Sequence, residues 1–191
     1  MRVGQKMLKA VRYLLPLFTV LLLIAGCTDS QKTPGSENGQ PPAGTNGSQP
    51  PAKAEMVTVT LYFSTKDASA LVAEKREVVK NDHPARAAIE ELINGPKNPE
   101  LTKVVPATTK LRDIKIKDHV AYVDFSESFV KDHWGGSTGE ILTVSAIINT
   151  LTEFPEIKGV QFMVEGKKLA TLKGHLDLGA PLARNEAIIR K

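Results

Sequence analysis

Cys27 is the only cysteine in the chain. No intramolecular disulfide can form, so whatever folds must be held by its core. Aromatics are scarce at 5% of residues, and Trp134 is the single tryptophan. Acidic residues are missing from the first 26 positions, where Arg2, Lys6, Lys9 and Arg12 carry the only charges. Long apolar runs are missing as well, apart from Tyr13 to Ala25, which is broken only by Pro16 and Thr19. That run falls short of the roughly 20 residues a helix needs to cross the hydrocarbon core. A membrane-spanning helix is therefore disfavoured.

A basic start, a short apolar run and small residues before a cut are the three parts of an export signal. Here the run ends in Ile24-Ala25-Gly26-Cys27. This motif resembles a lipobox, in which the cysteine thiol is alkylated by a diacylglyceryl group and the chain is then cut just before it. An ordinary secreted protein with a chance cysteine is the alternative, but the one cysteine sits at the one place the motif requires. Residues 1–26 thus read as a lipoprotein signal peptide, and Cys27 reads as the lipidation site. Two acyl chains give the two-signal attachment that makes anchoring stable.

The formal charge of +4 invites a nucleic-acid reading. Removing residues 1–26 takes away four basic residues and no acids, which leaves 21 of each sign. Binding to phosphate backbones needs clustered positive charge, and no dense basic run survives, so no nucleic-acid partner is expected. Residues 28–55 are rich in Pro, Gly, Ser, Gln and Asn and hold no aromatic, Leu, Ile or Val. Such a segment cannot offset the entropy of ordering. With Cys27 it reads as a disordered tether, 27–55, with a span of about 30 Å if it behaves as a flexible coil.

Residues 56–191 are then a single domain. Val57, Val59, Leu61 and Phe63 alternate with polar residues as a half-buried strand does, and Leu71 to Val79 reads as a second strand. Pro84 opens a helix with Ala87, Ala88, Ile89, Leu92 and Ile93 on one face. Gly95, as a left-handed cap, and Pro96 end it. Leu111 to Ile116 and Val120 to Phe125 form a hairpin turning at Asp118-His119, and Ser126 to Val130 reads as a helical turn. Ser137-Thr138-Gly139-Glu140 has the spacing of a capping box ahead of a strongly apolar helix that runs to about Glu153. Val160 to Val164 is a strand, with Leu169 to Leu172 as its expected hairpin partner. Hairpins with two intervening helices predict an α+β fold, a mainly antiparallel sheet with two helices packed on one face.

Several stretches carry a family resemblance. They are Thr60-Leu61-Tyr62-Phe63, Arg76, Glu91-Leu92-Ile93-Asn94-Gly95-Pro96, Val105-Pro106 with Thr108, Ala121-Tyr122-Val123-Asp124-Phe125-Ser126, Thr150-Leu151-Thr152-Glu153-Phe154-Pro155, Val160 to Gly166, and Pro181-Leu182-Ala183-Arg184. In this order and spacing they resemble the GerMN domain, a sporulation and spore-germination module of bacterial lipoproteins. The resemblance implies a non-enzymatic, extracytoplasmic interaction or assembly module that uses no cofactor. Some family members carry two copies, and one is seen here.

Candidate sites are few. His83, His119, His133 and His175 have no metal-ligand spacing and read as surface or loop residues. Ser145 sits in an apolar helix without a nucleophile elbow and reads as a packing residue. Glu90-Glu91 and Asp124 with Glu127 are poor candidates for an acid pair, which makes an envelope hydrolase the weakest function. Trp134, in a His-Trp-Gly-Gly loop, either stacks on a sugar or anchors a partner, or else tucks against the second helix. Arg76 either pairs with an acid or lies on an interaction face. The expected partners are the membrane through the lipid, and envelope proteins or peptidoglycan.

The anchor is directly checkable. Cells expressing the chain should incorporate labelled palmitate into it, and a Cys27→Ala variant should incorporate none. Label in the variant would contradict the lipidation site.

Overall fold

The structure is a computed structural model, and it describes residues 54–191. The signal, Cys27 and almost all of the tether lie outside the described residues. None of the described helices is long and apolar enough to cross a membrane.

Two strands and a helix come first. β1 (Met56–Thr65) pairs antiparallel with β2 (Leu71–Val79) from Met56 to Ser64. The pairing continues one step beyond the strand, where the Lys80 amide donates to the Glu55 carbonyl at 2.8 Å. α1 (Pro84–Asn94) follows, with Pro84 in its first turn and Ala85, Ala88, Ile89, Leu92 and Ile93 buried. β3 (Leu101–Thr102) returns to pair with the end of β1. Short as it is, β3 completes a three-stranded sheet in the order β2-β1-β3.

The second sheet is built on a hairpin, β4 (Leu111–Lys117) and β5 (Val120–Phe125). Asp118 and His119 both take positive φ, 50° and 62°, as a two-residue turn matched to strand twist requires. α2 (Ser128–Lys131) places Phe129 on Phe125, ring centroids 4.5 Å apart. α3 (Ser137–Leu151) crosses to β6 (Gly159–Val164), which pairs parallel with β5. A parallel pair needs such a long crossover. β7 (Lys167–Lys168) and β8 (Leu182–Ala183) both pair antiparallel with β6.

The fold is α+β, with antiparallel pairing dominant. The sheet is divided in two, however, and not continuous. α1 and α3 pack on β1 and on each other, while α1 also meets β4 and α3 meets β6. The helices therefore tie the two sheets into one core. α3 is buried almost all round, as expected of a helix apolar on every side. Where β1 extends beyond its short pairing with β3, the buried Tyr62 amide finds its acceptor in the Thr150 hydroxyl of α3 at 3.2 Å.

Two local expectations are corrected. Gly95 does not adopt a left-handed cap. Its φ of 95° with ψ of 175° lies in an extended region open essentially to glycine alone, and its amide donates to Leu92 O at 3.2 Å. The capping box is also absent. The N-cap of α3 is Gly136, with no side-chain cap, and Ser137 is already inside the helix.

Glu140 is used elsewhere. It is completely buried. Oε1 accepts from the Thr171 hydroxyl at 3.0 Å and from the amides of Leu172 and Lys173 at 3.0 and 3.1 Å. Oε2 accepts from the His175 amide at 2.9 Å. This accounts for the hairpin partner of β6 being Lys167–Lys168 and not Leu169 to Leu172. After the Leu169 amide donates to Phe162 O at 3.1 Å, the chain leaves the sheet to wrap the carboxylate.

Burial alone would push the Glu140 carboxyl pKa up. The amides of Lys173, His175 and Leu172 and the Thr171 hydroxyl outweigh it and hold the group below its ordinary value of 4.5. A carboxyl lowered by folding stabilises the fold above its ordinary value, and that contribution is lost as pH falls through the lowered one. Glu140→Gln should cost about 2 kcal/mol at neutral pH and Glu140→Ala about 4 kcal/mol, because buried donors lose their acceptor. Urea unfolding checks this. The loss of stability below pH 4.5 should be shallower in Glu140→Gln than in the parent, and equal acid limbs would contradict the assignment.

Candidate functional site

The residues singled out in the sequence separate in space. Arg76 is 3% exposed, which corrects the interaction-face alternative in favour of pairing. One guanidinium nitrogen donates to Glu91 Oε2 at 2.8 Å and to the Glu91 carbonyl at 3.1 Å. The other pairs with Glu74 and donates to the Gly95 carbonyl at 3.1 Å. The last carbonyls of a helix have no partner within it, and a cation there is favoured by the helix dipole. Arg76 is thus the C-terminal clamp of α1, delivered from β2, and it also lies over the Phe63 ring at 5.7 Å. Glu74 extends the clamp by accepting from the amides of Lys97 and Asn98.

The acid pairs do not converge. Glu91 belongs to Arg76, while Glu90 pairs with Arg86 on the surface. Asp124 accepts from the Gly166 amide and Glu127 pairs with Lys131. Ser145 is buried and accepts from Asn185 at 3.2 Å. Among the described residues, no group of three His, Cys, Asp or Glu side chains is placed to hold a metal.

Trp134 is different. It is 48% exposed, one of four exposed large hydrophobics among the described residues, so it does not tuck against α3. Its ring stacks on His133, with centroids 5.9 Å apart. His133 is itself 6% exposed, contrary to the surface placement expected for it. The Thr143 hydroxyl gives its proton to Val104 O at 2.6 Å, so at 2.9 Å His133 Nε2 must be the donor to Thr143. Nδ1 then carries the lone pair and has no partner. Gly139 completes the mount, because a Cβ there would stand 2.9 Å from the Trp134 carbonyl.

Trp134 overlooks a cleft of about 280 Å³. One wall comes from the end of β1 and the start of the following turn, Ser64 to Lys66, together with Lys103 after β3. The other is the Trp134-Gly135-Gly136 loop and the first turns of α3, and Val104 and Leu142 lie beneath. Sequence patterning offered Trp134 and missed Lys66 and Lys103. Nothing local marks those lysines as neighbours of residue 134, because the short β3 strand sets their position.

No protein of curated function matches the chain. A profile of the Germane family, described as sporulation and spore germination, matches residues 60–170. The first GerMN domain of the sporulation protein GerM from Bacillus subtilis is similar at 25% identity and a TM-score of 0.55, over 69% of this chain and 98% of that one. The tandem GerMN domains of the same protein are similar at 26% identity and a TM-score of 0.56, over 69% of this chain. This chain covers 46% of the tandem pair. A putative lipoprotein from Clostridium perfringens is similar at 28% identity and a TM-score of 0.50, over 67% of this chain and 87% of that one.

The His133 geometry has a pH consequence. Burial, with the Lys173 charge nearby, lowers its pKa below the ordinary 6.5, and Glu140 opposes the shift only in part. The unfolded chain therefore binds a proton first, and stability falls as pH drops from 6.5 towards the lowered value. Protonation in the folded state puts a charge against the Trp134 ring. Trp134 emission should step below pH 6.5, and the step should vanish in His133→Gln. A step of equal size in the variant would contradict the assignment.

Proposed function

The chain belongs to the Germane family of sporulation and spore-germination proteins, matched over residues 60–170, and from that membership we propose a membrane-anchored, extracytoplasmic lipoprotein whose single domain binds envelope proteins. The observation that carries this reading is the family match over the core of the domain. Cys27 behind its export signal, and a similar chain described as a putative lipoprotein, support the anchor. The domain acts by holding a partner and not by chemistry. Its buried charges are engaged within the fold, Arg76 by Glu74, Glu91 and backbone carbonyls and Glu140 by residues Thr171 to His175, while Trp134 is presented to solvent on a fixed mount. A few buried aromatic and arginine anchors dominate the binding energy at many interfaces, and a preorganised surface binds at a lower ordering cost.

A second reading, binding to peptidoglycan, draws on the same half-exposed indole above a cleft. Crosslinking and capture in cells of the source organism, during spore formation, separates the two. The protein reading expects specific envelope proteins on the full chain, and a deletion strain with fewer heat-resistant spores or slower germination. Normal spores with no captured protein would overturn it, and pelleting of the chain with purified sacculi would then favour the wall.

A further inference from the structure

We propose that the cleft beside Trp134 docks an acidic segment of a partner protein, with Lys66 and Lys103 meeting its carboxylates and Trp134 covering an adjoining apolar side chain. This inference rests on the protein-binding reading and names the chemistry of the partner.

Charge complementarity carries it. The cleft is lined by two lysines and by no acid, in a chain whose charges balance once residues 1–26 are set aside. Lys66 makes one ion pair among the described residues, with Glu100 at 3.2 Å, side chains 60% and 75% exposed, and Asp67 follows it in the chain. A pair that open to water is worth only about 0–1 kcal/mol, so Lys66 is free to turn to a better-placed carboxylate. Lys103 makes no ion pair among the described residues. Its stem is laid across Gly95, where a Cβ would come within 2.6 Å of Cε, and Gly95 thereby leaves room for the chain to run this way.

The opposite wall adds no acidic side chain to the lining. Glu140, the acid spaced to fold back on the start of α3, is held by residues Thr171 to His175. No side chain caps that helix end, and Gly136, Thr138 and Gly139 from it line the cleft. The floor is apolar, with Val104 and Leu142 buried. At about 280 Å³ the space is at or below the small end of ligand pockets. It suits one or two side chains of an extended segment better than a large free ligand. Two lysines are also too few for a membrane surface, where each basic residue contributes about 1 kcal/mol.

Trp134 is the only tryptophan in the chain, so its fluorescence reports on the cleft alone. The full chain is titrated with a blocked peptide of alternating glutamate and leucine, and separately with the same peptide carrying lysine for glutamate. The acidic peptide should shift Trp134 emission saturably, and the basic one should not. Joint Lys66→Ala and Lys103→Ala substitution should weaken the response roughly tenfold, and added salt should weaken it likewise. Lys110→Ala, an exposed lysine outside the cleft, should leave it unchanged. Both cleft lysines are exposed, so thermal unfolding should show the double variant folded. The proposal is overturned by no saturable response to the acidic peptide, or by equal binding in the double variant. It is also overturned if soluble peptidoglycan fragments or anionic phospholipid vesicles produce the shift and the peptide does not. Partner capture in cells reports separately. Captured proteins that bind equally to the double variant would retain the protein-binding reading and reject this site.

Discussion

A buried carboxylate is costly to keep charged, and the arrangement around Glu140 follows from meeting that cost. Removing such a group from water costs several kcal/mol, and each hydrogen bond to a charged acceptor returns about 1.5–3 kcal/mol. Four donors from Thr171, Leu172, Lys173 and His175 converge on it. The segment from Ala170 to Ala180 joins no sheet, so the carboxylate is what gives it a fixed path. That path in turn shortens β7 and lets β8 pair with the same edge of β6. It also delivers the Leu178 amide to Ala170 O at 2.8 Å and the Leu178 carbonyl to the buried Gln161 amide.

Arg76 performs the complementary task at the other end of the core. It sits on the first sheet, yet it satisfies the carbonyls at the end of α1 and gathers Glu74 and Glu91 around itself. One buried acid thus binds backbone donors in the second half of the domain, and one buried base binds backbone acceptors in the first. Between them the two helices pack on β1 and join two sheets that share no strand pairing. The region left outside this framework is the rim above the start of α3. There a glycine-rich loop holds Trp134 half exposed, and the start of α3 has no side-chain cap.

Much of this was legible in the sequence, wherever the cause is local. Alternation placed β1, β5 and β6, β2 and β4 were read as their neighbours, and Pro84 and the Asn94-Gly95-Pro96 stop bounded α1. Asp118-His119 marked its turn. What escaped were partnerships across long separations. The donors to Glu140 lie 31 to 35 residues further on, so its spacing from Ser137 suggested a capping box that does not form. The two-residue strands β3 and β8 are too short to carry a period, and without β3 neither the split sheet nor the cleft can be foreseen. His133 lies in a loop as expected, but it is buried and not at the surface, bonded to Thr143, ten residues further on in α3. Trp134 could be singled out as unusual, but its exposure is a property of the mount beneath it.

The account turns on Glu140 as the tie between α3 and the Thr171–His175 segment, and amide hydrogen exchange reads that tie directly. The amides of Leu172, Lys173 and His175 should be protected at neutral pH to the degree seen in β1. In Glu140→Ala those three should exchange fast while the β1 amides stay protected. Rapid exchange at the three positions in the parent protein, or unchanged protection in the variant, would contradict it.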